Sequence, residues 1–309
     1  MVYLIDNYCM EKIFPINFGS ASNNEELKKI QESNNDYDPA YLAVASATSR
    51  IDIKKWIVEL WLEYEPYADN AFLNRIKRNF HEHTWEMYLT CALLRCGIKV
   101  KKKENDEGPD CELNIKNKPV WIEAVTCSEG EKADKVIKGD YSGHRDGYEI
   151  PRILRITNAI DEKFRKYKKY LQKGTIKANE PYIIAVNGSG ADAYREEQIL
   201  SALLAVGYLT IPFDKNKKPF HLKREKVKKV NKSEVNTNIL FDSKYEGISA
   251  VIFSGDHIIN SPRTQLGSNF IIILNPLAKN PIQIDTIKLG KTRWLEDEYI
   301  KVKAWGKPK

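Results

Sequence analysis

The chain has 309 residues, 42% of them hydrophobic, enough for one large domain or two ordinary ones with a substantial core. Its longest apolar runs, residues 203–211 and 270–274, fall well short of the roughly 20 residues that span a bilayer, which excludes a membrane helix. A formal charge of +7 is a mild excess that permits a polyanionic partner without demanding one.

The N-terminal stretch MVYLIDNYCMEK mixes acidic and polar residues into its apolar start, so no secretory leader is expected. Five cysteines (Cys9, Cys91, Cys96, Cys111 and Cys127) form an odd set without a Cys-x-x-Cys pair, which fits neither a disulfide framework nor a zinc site and points to a reducing, cytoplasmic setting. Residues 1–75 read as a helical N-terminal extension: NNEELKKIQES opens on capping asparagines followed by acids, and IDIKKWIVELWLEYEP spaces Ile53, Trp56, Ile57, Leu60 and Trp61 at helical intervals up to Pro66. These helices offer a surface for a homodimer, for substrate selection or for a lid over a sheet.

A core is expected over 76–275. It begins with a helix at 78–96, whose stripe runs through Trp85, Tyr88, Leu89, Ala92, Leu93 and Cys96 and stops at Gly97. IKVKKKE reads as an edge strand, and 111–115 with 120–125 as a hairpin turning through KNKP. A loop of some 25 residues follows, long enough to be functional or mobile. Pro151 is expected to open a helix to about Leu171. The remaining core elements are a buried strand in PYIIAVNGSG, a helix at 195–206, and strands in YLTIPF, ISAVIFS and NFIIILN. This order predicts an α/β fold with a mixed central sheet flanked by helices, and 276–309 as a C-terminal extension packed on the core.

If Ile115 pairs with Val120, Glu112 lies across from Glu123 and Asp110 across from Val125, all on one face, with Asp110 and Glu123 diagonal neighbours. Two carboxylates placed so repel unless a cation joins them, and hard divalent ions take carboxylate oxygens with waters completing the shell. A salt bridge from Glu123 to Lys101 or Lys103 is the structural alternative.

Pro109-Asp110, twelve residues, then Glu123-Ala124-Val125 resembles the signature of the PD-(D/E)xK nuclease superfamily, the restriction-endonuclease-like nucleases. The resemblance spans roughly 79–274. It implies that Asp110 and Glu123 bind Mg²⁺, with Mn²⁺ as a substitute, that the Ala124 carbonyl is a possible extra ligand, and that a helix acid completes the site. Glu86 in HTWEMYL takes that role, with Glu82 one turn earlier as its rival. The superfamily's lysine would stand at Val125; in some members it sits instead on the following helix, which assigns its role to Lys163, beside the stripe of Ile153, Ile156, Ile160, Phe164, Tyr167 and Leu171. Lys166 and Lys169 are read as facing solvent. Arg152 and Arg155 near the helix start are candidate phosphate ligands. The implied activity is hydrolysis of phosphodiester bonds, with DNA as the favoured nucleic acid. The alternative reading is a catalytically inactive domain of this fold that binds nucleic acid or protein, with Val125 as the mark of lost activity.

The tract 214–232 holds nine Lys/Arg against two acids and suits sequence-independent phosphate contacts. His81 and His83, at i and i+2, point to different sides of a helix and are not read as a zinc pair. NGSG lacks a phosphate-loop pattern, and neither Ser189 nor Ser201 sits in a Gly-x-Ser-x-Gly elbow.

Overall fold

The computed structural model of the chain describes residues 12–15, 17–102, 107–137, 145–211 and 219–306, with backbone alone at 132 and 145–148. Residues 138–144 of the long loop and 214–218 of the basic tract lie outside the described residues. The helices α1 (Asn24–Ser33), α2 (Pro39–Ser46), α3 (Ile51–Tyr64) and α4 (Phe72–Ile76) precede α5 (Phe80–Arg95). Asn23 caps α1, its side chain accepting from the Glu26 N–H at 2.9 Å while Glu26 accepts from the Ser22 N–H at 2.7 Å.

Asp38 serves two helices at once. One carboxylate oxygen accepts from the Ala40 N–H at 2.7 Å at the start of α2, and the other from the Phe80 N–H at 2.9 Å at the start of α5. Asp38→Ala is therefore expected to lower unfolding free energy by about 1–2 kcal/mol in urea denaturation.

The central sheet has eight strands in the order β1 (Lys99–Lys101), β2 (Cys111–Ile115), β3 (Lys118–Thr126), β4 (Tyr182–Asn187), β9 (Ala250–Ser254), β10 (Ile271–Leu274), β11 (Lys291–Glu296) and β12 (Tyr299–Ala304), and two small hairpins, β5 (Val206–Thr210) with β6 (Phe220–Lys223) and β7 (Lys226–Lys228) with β8 (Glu234–Asn236), lie apart from it. The strands that concern the site are β1, β2, β3, β4 and β9. β1, β2 and β3 run antiparallel, whereas β3, β4 and β9 run parallel. The mixed sheet flanked by helices is thus the α/β arrangement that the element order implied.

Alternation along β4 builds two cores. Ile183 and Ala185 face the N-terminal helices and α5, together with Leu113, Ile122 and Ala124. Ile184 and Val186 face the other way, joined by Val125 and by Ile153, Ile156, Ile160 and Phe164 of α6 (Arg145–Lys173) and by Ile199 and Leu203 of α7 (Glu196–Leu204). Every residue of β4 is buried, as a strand covered on both faces requires.

Three expectations are corrected. The hairpin turns through only Lys116 and Asn117, at φ 52° and 62°, a two-residue turn whose twist matches the strands. Ile115 consequently pairs with Lys118, Glu112 with Trp121 and Cys111 with Ile122, two residues away from the four-residue turn expected from KNKP. Pro119 is a strand residue opposite Asn114. Secondly, α6 begins at Arg145 and contains Pro151, because losing one intrahelical bond is tolerated in a 29-residue helix packed on the sheet. Thirdly, the C-terminal segment supplies strands of the same sheet: β11 (Lys291–Glu296) runs parallel to β10 (Ile271–Leu274) and antiparallel to β12 (Tyr299–Ala304) at the edge. Among the described residues no helix is long and apolar enough to cross a membrane.

Candidate active site

Continuing the observed hairpin register by one pair places Asp110 directly opposite Glu123. The shift of two residues preserves the face and converts a diagonal relation into a lateral one. Asp110 is anchored to the partner strand, its Oδ2 accepting from the Ala124 N–H at 2.7 Å. The preceding Gly108 adopts φ 109°, a conformation that favours glycine, and brings the chain into Pro109-Asp110.

Glu123 is completely buried and faces α6. Its Oε1 accepts from two ammonium groups, Lys163 Nζ at 3.2 Å and Lys166 Nζ at 2.5 Å, and its Oε2 from the Tyr170 hydroxyl at 3.2 Å. A solitary carboxylate at this depth would be strongly disfavoured, and these three donors offset the loss of water. Lys163, Lys166 and Tyr170 recur at i, i+3 and i+7, the spacing that puts side chains on one helix face. Lys166, read from sequence as facing solvent, instead reaches inward while keeping 44% of its side chain exposed. Of the alternative partners for Glu123, Lys101 pairs with Glu112 at 3.3 Å and Lys103 lies outside the described residues.

Burial pulls the Lys166 pKa down, but attraction and hydrogen bonding to Glu123, with Asp110 and Glu82 further off, outweigh it and leave it raised. Tyr170 is raised by burial first, then by the charges of Glu123 and Asp110, so its hydroxyl stays protonated and acts as a donor. That hydroxyl also lies 2.9 Å from the Gly108 carbonyl, so its one proton is shared between the two acceptors and ties the segment that carries Asp110 to Glu123. Tyr170→Phe is expected to lower stability by about 1–2 kcal/mol and to speed amide exchange at Gly108 and Asp110.

Glu86 lies inside the layer formed by α5. Its Oε1 accepts from the Tyr64 hydroxyl at 2.6 Å, and His83 Nδ1 lies 3.4 Å from its Oε2. The Tyr64 pKa is raised well above its ordinary value by burial, then by Glu86, with Cys111 and Asp110 further off, so Glu86 and Asp110 flank a common tyrosine. Glu82, on the exposed first turn of α5, acts on Lys166 instead. Among the described residues no three His, Cys, Asp or Glu side chains gather closely enough to enclose a metal ion, so Asp110, Glu123 and Glu86 do not form a three-ligand cage. Two adjacent carboxylates without sulfur or imidazole suit a hydrated hard cation, which commonly uses one or two carboxylates and leaves its other positions to water and phosphate.

The two arginines are placed elsewhere. Arg152 is buried, donating to the Asp192 carbonyl at 3.0 Å and lying 3.5 Å from the Asp192 carboxylate; along α6 it is about 16 Å from Lys163. Arg155, about 12 Å from Lys163 along the helix, packs under Gly130, where a Cβ would fall 1.9 Å from its guanidinium. It also lines a cavity of about 430 Å³ with Asn158, Asp161 and Lys244, away from the carboxylates.

His81 and His83 diverge: His83 turns toward Glu86, whereas His81 Nε2 lies 2.8 Å from Ser189 Oγ and its ring stacks on His257. Of the basic tract, Phe220–Lys223 and Lys226–Lys228 form strands of the small hairpins. The described cysteines, Cys91, Cys96, Cys111 and Cys127, are free thiols.

No protein-family model, no curated protein and no solved structure matches the chain. What bears on function is therefore the motif and the geometry around it.

Proposed function

We propose that the protein is a Mg²⁺-dependent nuclease of restriction-endonuclease-like fold that hydrolyses phosphodiester bonds in DNA. The observation that supports this most is the lateral pairing of Asp110 with Glu123 at a strand pair, faced by lysines from the next helix. The order of helix, three strands, helix and strand around it is that of the PD-(D/E)xK superfamily. Asp110 and Glu123 would hold the cation, which when bound supplies a water of lowered pKa and positive charge near phosphate.

The chain's own groups account for the remaining roles. Lys163 stands on α6 where it faces Glu123, replacing the strand lysine that Val125 cannot supply, and offers charge to the phosphate as negative charge develops. Tyr170, always protonated, keeps Glu123 and the Gly108–Asp110 segment in register. Glu86, fixed by Tyr64, supports the arrangement from the other side of Asp110.

One observation favours the inactive alternative: Glu123 already has two ammonium partners, which compensate its charge without a cation. A cleavage assay on single- and double-stranded DNA and RNA with Mg²⁺ or Mn²⁺ separates the readings. The nuclease reading expects products that vanish with EDTA; binding without cleavage under all of these conditions supports the alternative.

A further inference from the structure

Among the described residues Glu123 carries two ammonium partners on one oxygen, Lys163 and Lys166, and Lys166 also feels the charges of Asp110 and Glu82. A divalent cation joining Glu123 beside both ammonium groups would crowd like charges around one buried carboxylate, which is unfavourable unless an ammonium withdraws or an anion arrives. The two lysines are not equivalent in their freedom to withdraw. Lys163 retains only 11% of its side-chain exposure, and its backbone carbonyl accepts from Tyr182 at 3.4 Å. Lys166 is 44% exposed, holds the same Glu123 oxygen more closely, and has solvent on its open side.

We infer that Lys166 is a competing counter-ion for the metal: it occupies Glu123 until a divalent cation takes that oxygen, and then swings out to bind a backbone phosphate of the nucleic acid. The inference rests on the nuclease reading and adds to it that cation and polyanion bind cooperatively. Without phosphate the cation displaces Lys166 into water; with phosphate the displaced ammonium gains a partner. Glu82 and Asp110, both within electrostatic range, keep the released ammonium beside the site.

The test is cation binding by the protein alone. Mn²⁺ affinity is measured by electron paramagnetic resonance, and Mg²⁺ by calorimetry, for wild type, Lys166→Met, Lys166→Gln, Lys169→Met, Asp110→Asn and Glu123→Gln. Removing Lys166 by either substitution is expected to tighten Mn²⁺ binding about tenfold. Removing Lys169, exposed on the same helix, changes it by no more than about twofold. In the wild type, acetylation of Lys166 by acetic anhydride, followed by mass spectrometry, should accelerate when Mg²⁺ is added. Equal or weaker Mn²⁺ affinity in both Lys166 variants, or unchanged labelling while Mg²⁺ binds, overturns the competition. Absence of Mn²⁺ binding from every protein, or binding indifferent to Asp110→Asn and Glu123→Gln, overturns the cation site itself and the nuclease reading with it.

Discussion

Glu123→Gln and Asp110→Asn are each expected to reduce Mg²⁺-dependent DNA cleavage by about a thousandfold, since each takes one of two anionic ligands and, among the described residues, no third His, Cys, Asp or Glu joins them closely enough to enclose an ion. The two variants differ in what they do to the fold. Asp110→Asn keeps an oxygen able to accept the Ala124 N–H, so its melting temperature should stay close to wild type. Glu123→Gln keeps the side-chain volume but removes the anion that two ammonium groups approach, so it should also be less stable. Loss of cleavage in Asp110→Asn with an unchanged melting temperature therefore isolates chemistry from folding. Cleavage near the wild-type rate in that variant would place the reaction elsewhere.

Lys163→Met is expected to be the most destabilising single change at the site, by about 3 kcal/mol in denaturant titration, because it strips a buried carboxylate of its buried counter-ion. Lys166→Met removes a half-exposed partner of the same oxygen and should lower stability by less than about 1 kcal/mol. The ordering matters more than either value. If Lys166→Met proved the more damaging, the burial-based distinction between the two lysines would be wrong. At temperatures where Lys163→Met remains folded, it should also cleave poorly, whereas Lys169→Met should behave as wild type.

What the sequence disclosed about this site follows from how strongly each feature is written in it. The stripe in 78–96 locates α5 almost to its ends, and the continuous apolar run of PYIIAV marks a strand covered on both faces. The face shared by Asp110 and Glu123 survives the register error because a shift of two residues leaves alternation unchanged. The register itself was hidden by turn chemistry: Lys116 and Asn117, like Asp297 and Glu298 between β11 and β12, take positive φ without any glycine. For the same reason the β11-β12 hairpin is invisible to a search for Asn-Gly or Asp-Gly turns. Lys301 and Lys303 alternate along β12, which is how an edge strand discourages further pairing.

Side-chain reach set the other limit. A helical wheel separates Lys163 from Lys166, but it does not register that a four-carbon stem can turn a half-exposed lysine toward a buried anion. Tyr170 carries no motif at all; only its distances to Gly108 and Glu123 identify it as the residue joining the two halves of the site. Glu86 is buried because Tyr64 and the N-terminal helices, remote from it in sequence, cover α5 on nearly every side.

The most direct measurement is the anomalous scattering of Mn²⁺ soaked into crystals of the wild-type protein. A single peak is expected within ligand distance of both the Asp110 and Glu123 carboxylates, with Lys163 still facing Glu123 and Lys166 turned outward. A map at saturating Mn²⁺ with no peak there, and both ammonium groups still seated on Glu123, would contradict the shared cation site.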